Sequence, residues 1–251
     1  MNAGTNEAAG SIDSPIDPVS PAGPQIHRLL RARIIRAELA PGDALSETTI
    51  AARCGVSRQP VREAFMRLAD EGLIVVRPQR ATRVRRISRA EVLDARFVRE
   101  AIEADIVRAV ARSPDAGLLS ALETNLRRQK AVPRSRPERF MALDETFHRT
   151  LAEASGHAHA WHVLEGVKAQ MDRVRFLALR RFPVPVLIEQ HEHIAEAVRS
   201  ASPDAAERAV RTHLREILSD LPDIVAAHPA MFDAGPDAST STDRTRTTTV
   251  R

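Results

Sequence analysis

A chain of 251 residues that is 43% hydrophobic, 3% aromatic and formally +4 in net charge is long enough for two modest domains with buried cores. No run approaches the roughly 20 uninterrupted apolar residues of a membrane span, and the opening MNAGTNEAAG has neither the basic start nor the apolar stretch of a secretory signal, so the expected location is cytoplasmic. One cysteine, Cys54, rules out an internal disulfide, and the chain has no Gly-rich phosphate loop, Cys-x-x-Cys pair or Ser-centred nucleophile elbow, which removes much familiar enzymology.

Residues 1–24 are rich in Pro, Ser, Gly and Ala and read as a disordered arm, as does the tail over 229–251, which closes in DASTSTDRTRTTTVR. Between them helical periodicity dominates. A helix is expected over Ile26–Ala37, then the turn LAPGDALSE, a helix over Glu47–Arg53, a tight turn at Cys54-Gly55-Val56 and a third helix after Ser57. In that helix Ser57 can cap the start, Pro60 falls in the first turn, where its missing N–H costs little, and Gly72 marks the stop. At about 100° per residue, Val61, Ala64, Phe65 and Leu68 gather on one face, Arg58 and Arg62 lie together beside it, and Gln59 falls further round. Leu73–Val76 and Thr82–Val84 then read as two short strands about the turn Pro78-Gln79-Arg80.

Three helices and a hairpin in this order make a winged helix-turn-helix, whose second paired helix enters the major groove. The charge agrees: Gln25–Arg86 holds 13 arginines against 6 acidic residues, leaving the rest of the chain mildly acidic, and a basic module suits an anionic polymer. Arginine suits base reading because its guanidinium spans guanine O6 and N7, a discrimination of roughly 1–3 kcal/mol. Arg28, Arg31, Arg33 and Arg36 are expected to form a mainly solvated helix face, Arg77, Arg80 and Arg83 to flank the wing, and Arg85 and Arg86 to keep a linker in water. His27 and His228 show no partner signal.

The stretch ELAPGDALSETTIAARCGVSRQPVREAFMRLADEGLIVVRPQRATRV resembles the DNA-binding domain of the GntR family of bacterial transcription regulators. The resemblance implies operator contacts from Arg58 and Arg62, with Ser57 and Gln59 at the same surface, and a wing tip over 79–82, including Arg80, directed towards the minor groove. Thr48 stands where some members carry a contacting arginine and is the DNA-facing residue here, a change that bears on the preferred operator. Ala81 replaces the usual wing glycine, whose backbone freedom alanine lacks.

From Ser88 onward the chain reads as six to seven amphipathic helices over 87–228, which makes the fold mainly α. DETFH places Asp144 and His148 at i and i+4, where a carboxylate and an imidazole can bind one cation. EQHEHIAEAV and RTHLREIL contribute further histidines, His191 and His213, on apolar-patterned helices. His193, two residues from His191, falls on nearly the opposite face. GHAHAWH, with His157, His159 and His162, reads as a loop opening a helix. On residue pattern alone, such an Asp–His pair is more often a surface hydrogen bond than a metal site.

The region Ser88–Ala226 resembles the FCD ligand-binding domain of the FadR subgroup within GntR, an all-helical bundle. Many of its members bind a divalent metal through an aspartate and three histidines. The resemblance implies Asp144, His148, His191 and His213 as the ligands of a divalent metal ion, zinc first, with nickel and manganese also suited to that set. It further implies a small carboxylic acid effector at the open positions, contacted by Arg99 in VREAIE. Arg99 reads equally well as an intrahelical partner of Glu103 at i+4.

The expected protein is a cytoplasmic, homodimeric, non-enzymatic regulator with no membrane partner. It reads a palindromic operator on double-stranded DNA and acts as a repressor released by a small organic acid. Two alternatives remain at this point. One is a metal-dependent hydrolase with an appended DNA-binding module, although no acidic residue is placed to act as its general base. The other is a DNA-binding dimer whose helical domain holds only a structural metal.

Overall fold

In the computed structural model, which describes residues 16–76, 81–179 and 184–234, Ser46 starts the second helix by accepting a bond from Thr49 N at 3.2 Å, and Gly55 ends it in the left-handed region at φ 65°. The head comprises α1 (Ala22–Ile35), α2 (Glu47–Cys54), α3 (Arg58–Asp70) and three short strands, β1 (Ala44–Leu45), β2 (Ile74–Val75) and β3 (Thr82–Val84). Ser57 precedes α3 but makes no side-chain cap bond, contrary to expectation. The third helical position, which a serine cap serves, is Pro60, and proline has no N–H to give.

The wing is a sheet of order β1-β3-β2, all antiparallel, with Ala44 opposite Arg83 and Ile74 opposite Val84. The expected turn LAPGDALSE thus supplies a third strand. It covers one edge of β3 and buries Leu45 in the head core. The expected wing turn, including Arg77 and Arg80, lies outside the described residues.

Both expected terminal boundaries shift. Helix α1 starts at Ala22, inside the segment read as an arm, because Ile26, Leu30 and Ile34 bury completely against α3. The Gln25 side chain ties down the preceding residues by donating to the carbonyls of Asp17 and Ser20. At the other end, Pro229–Met231 forms a 3-10 turn and Phe232, 2% exposed, bridges to Ile87. Phe232 packs with Met171 and Ile224, so the start of the expected tail is pinned to the linker between head and bundle. Arg86 donates to the Phe232 carbonyl at 3.4 Å instead of simply keeping the linker in water.

Seven helices follow the head among the described residues: α4 (Arg89–Arg112), α5 (Ala116–Lys130), α6 (Pro137–Ala154), α7 (Ala158–Val167), α8 (Ala169–Leu179), α9 (Val184–Arg199) and α10 (Pro203–Ala227). The long helices α4 and α10 pack together, with α9 against α10 and α5. Val107, Phe147, Leu151, Trp161, Ile194 and Leu214 fill the centre. Ala169, at the start of α8, belongs to the head core, while Met171 and Val174 join a core with α4 and α10. Helix α8 is therefore packed into both halves of the molecule.

Candidate functional site

On the head, Thr48, Ser57, Arg58, Gln59 and Arg62 are all exposed. Arg58 Nη2 lies 3.0 Å and Arg62 Nη2 3.3 Å from the same oxygen, Oε2 of Glu47 on α2, while Gln59 donates to Glu63 at 3.2 Å. Partial burial works against ionisation of Glu47, but its bonds from Arg62 and Arg58 hold the carboxyl below its usual range. Glu47 thus orients both guanidiniums, a role that nothing in the local pattern announces. Arg83 reaches the wing base instead, donating to the Gly42 carbonyl at 2.6 Å.

In the bundle, Asp144 and His148 from α6, His191 from α9 and His213 from α10 each offer one ligand atom. These atoms lie within 4.8 Å of one another, and all four residues are buried. His213 Nε2 is 3.2 Å from His148 Nε2 and 3.3 Å from His191 Nε2. Two rings have an acceptor behind them, Gln129 Oε1 at 2.9 Å from His191 Nδ1 and Gln190 Oε1 at 2.9 Å from His213 Nδ1, while Glu103 Oε2 lies 2.6 Å from His148 Nδ1 without hydrogen-bond alignment. The two acceptors favour the proton on Nδ1 and leave the Nε2 lone pairs of those rings for the cluster. Phe147 stacks on His191 with ring centroids 4.6 Å apart, which fixes that ring's plane.

The protonation states agree with this geometry. Burial, reinforced by His191, pushes His213 well below the usual histidine value, and burial also lowers His191. Asp144 is sealed from water. Desolvation would raise its pKa, but the Arg175 guanidinium overrides it and holds the carboxyl well below the ordinary range. Arg175 Nη2 lies 2.5 Å from Asp144 Oδ1, an ion pair without hydrogen-bond alignment, and Oδ2 has no hydrogen-bond partner at all. An orphaned carboxylate oxygen beside three converging imidazoles is a donor set that fits a divalent cation.

Beside this cluster lies a cavity of about 130 Å³, lined by Arg99, Arg175, His213 and apolar residues including Leu187 and Ile217. The expected pair of Arg99 with Glu103 is present, Nε to Oε1 at 2.6 Å, and the same side chain lines the cavity with Nη1 buried and without a hydrogen-bond partner. Arg175 was not singled out by sequence, because α8 is buried on nearly every side and shows no amphipathic stripe.

A run of charges leads from the cluster to the head. Arg175 Nη1 is 4.0 Å from Asp172 Oδ1. Oδ2 of Asp172 is 2.8 Å from Lys168 Nζ and 3.2 Å from Arg31 Nη2, and Arg31 Nε is 2.8 Å from Glu71, the residue that ends α3. His27 Nε2 sits 2.6 Å from Glu71 as well. Arg31 and His27 are thus partly buried pairing residues, not a solvated face or a lone histidine. Arg33, 8% exposed and paired with Glu38, departs from expectation in the same way, while Arg28 and Arg36 are exposed. Arg85 donates to the Gly72 carbonyl and pairs with Glu91, and Gln170 of α8 donates to the same carbonyl at 2.6 Å. Gly72 itself has φ 70°, and a Cβ there would sit 2.8 Å from Arg85 Nη1.

The remaining histidines stay outside the cluster. His193 is exposed, and His157, His159 and His162 remain on the surface around the start of α7, where His162 faces Glu165.

Residues 23–84 match the family model for bacterial regulatory proteins of the gntR family, and residues 94–216 match the FCD domain. The chain is 40% identical over 209 residues to the HTH-type transcriptional repressor RspR of Escherichia coli (strain K12), covering 82% of this chain and 92% of that protein. It is 40% identical over 208 residues to an HTH-type transcriptional regulator in an unstable DNA locus of Streptomyces ambofaciens, covering 82% and 88%. Among solved structures, McbR/YncC of E. coli aligns with a TM-score of 0.67 at 17% identity, covering 80% of this chain and 97% of that one. A GntR regulator from Rhodococcus sp. RHA1 aligns with a TM-score of 0.67 at 23% identity, covering 83% and 99%. At those identities the two structures speak for the fold alone. No described helix is long and apolar enough to cross a membrane.

Proposed function

Because the chain belongs to the GntR family of bacterial transcription regulators and carries an FCD domain, which makes it a DNA-binding regulator and not an enzyme, we propose that it is a cytoplasmic, homodimeric repressor of the FadR type, released from its operator by a small organic acid bound beside a divalent metal. The head, residues 25–86, reads DNA through Arg58 and Arg62, with Thr48, Ser57 and Gln59 beside them and Arg80 on the wing. Two heads related by a dyad read an inverted repeat. The exposure of Thr48, Ser57, Arg58, Gln59 and Arg62, and the Glu47 carboxylate that aligns both arginines, support the assignment.

One observation carries the sensing half: three histidines converge on the Asp144 carboxylate while Gln129 and Gln190 hold two of the rings from behind and Glu103 lies against the third. Asp144, His148, His191 and His213 would hold the ion, zinc being the first choice, and a bound cation supplies positive charge and open positions for a carboxylate. Arg99 Nη1 and Arg175 then neutralise the acid inside a cavity whose apolar wall excludes water. Arg175 bridges the two events. Once it turns towards an acid, its hold on Asp144 and Asp172 weakens, and Asp172 is shared with Arg31 and so with the end of α3. An acid favours release only through its difference in affinity between the two head placements.

The test is fluorescence anisotropy on a duplex selected in vitro for binding, with the protein metal-loaded and chelated, against a panel of organic acids. An acid that weakens DNA binding by at least about fivefold, the lower range of allosteric coupling, and only in the loaded state, is the expected result. Metal retained with no response to any acid reduces the cluster to a structural site. Arg31→Ala is expected to keep acid binding while reducing that effect on DNA, and an unchanged effect removes Arg31 from the route.

A further inference from the structure

The lining of the cavity beside the histidines carries charge of both signs. Arg99 is 1% exposed with Nη1 unpartnered, and Arg175 lines the cavity with it. Glu216 and Asp220 line it as well. They follow His213 on α10 by three and seven residues, so they share its face and lie about 4.5 and about 10.5 Å further along the axis at the usual rise per residue.

Among the described residues neither carboxylate pairs with a cation. Glu216 Oε2 accepts from the neutral amide of Gln190 at 3.0 Å. Burial, with Glu216 and Asp223 among the described residues, raises the Asp220 carboxyl above the usual range. Leu179, Leu187 and Ile217 add apolar wall. A simple fatty acid would leave the two carboxylates uncompensated, and a dicarboxylate would be repelled by them, whereas a dipolar ion satisfies both signs of charge.

We propose that the effector is an aminocarboxylate whose carboxylate meets Arg99 and Arg175 and whose cationic amine, across a short aliphatic spacer, meets Glu216 and Asp220. The cavity volume of about 130 Å³ is close to that of the ~150 Å³ cavity that accepts benzene, which limits the ligand to roughly six to eight heavy atoms. This inference rests on the carboxylate-sensing reading above and adds the chemistry of the two acidic groups.

Calorimetry on the metal-loaded full chain separates the two claims, with valerate, succinate, γ-aminobutyrate and δ-aminovalerate as probes. One of the amino acids is expected to bind about tenfold or more tighter than valerate and succinate, the scale of one buried charge-assisted bond. Asp220→Asn, nearly isosteric, and Glu216→Gln should remove that preference while leaving valerate binding within about twofold. If valerate or succinate binds best, or if both variants keep the preference, the two acidic groups have no part in recognition and the proposal falls while carboxylate sensing survives. If none of the four binds, carboxylate sensing falls and this proposal with it.

Discussion

The side chains of Arg58 and Arg62 on the head remain 59% and 56% exposed, whereas in the bundle Arg99 is 1% exposed and Asp144 is fully sealed. The same residue types thus serve under opposite solvation. A charge left in water costs little to hold and contributes little to stability. A charge taken from water carries a desolvation cost of several kcal/mol and persists only inside a network of partners. On the proposed reading, recognition and folding are then separable in the head, where an exposed arginine can change without disturbing the core. In the bundle they are one problem, because the histidines, the acceptors behind them and the arginines compensate one another as buried groups.

The largest expected effect tests the buried side of this contrast. Asp144→Ala removes the nearest counter-charge of the Arg175 guanidinium and should cost about 3–5 kcal/mol in denaturant unfolding even without metal. A loss below about 1 kcal/mol, the level of an exposed pair, would erase the distinction between the two regions.

Next are the acceptors behind the rings. Gln129→Leu or Gln190→Leu should lower metal affinity about ten- to a hundredfold in a competition titration with a chromophoric chelator. An affinity equal to wild type would mean that the imidazoles need no positioning.

On the exposed side, Arg62→Ala should weaken operator binding by roughly 1–3 kcal/mol at fixed salt, while unfolding stability stays within about 0.5 kcal/mol of wild type. A matching loss of stability would show that the head is as coupled as the bundle.

The smallest effect lies between the extremes. Glu100 is buried among Arg215, Arg211 and Arg96, and their bonds, led by Arg215, bring its pKa from 4.5 down to about 2. A carboxyl whose folded value is depressed adds stability that is complete above its unfolded value and fades as pH falls from about 4.5 towards about 2. Arg215 and Arg211 are partly exposed, which screens the pair, so Glu100→Gln should cost only about 1 kcal/mol at neutral pH. Acid titrations followed by circular dichroism should show the two proteins converging across that window.

Much of the head was legible in order along the chain, because apolar periodicity, Gly55 and Gly72 are local signals. The Ser57 cap was misread for an equally local reason, the proline three residues on. Arg31 and His27 were misread because their partners, Glu71 and Asp172, come from other elements up to 141 positions away. Asp144 and His148 were visible through their one-turn spacing. The acceptors behind the histidine rings were not, since Gln129 lies 62 positions from His191.

By itself, then, the sequence determined the helical class, the order of head and bundle, and the residue types able to read DNA or bind a cation, since each depends on composition, caps and periodicity within a few residues. Only the tertiary structure decided that β1 completes the wing, that Phe232 returns to pin the linker, and that Arg175 ties the histidine cluster to the end of α3. Those outcomes depend on which buried charges and apolar side chains find partners across elements, and the free energy of such pairings belongs to the packed assembly and not to any segment of it.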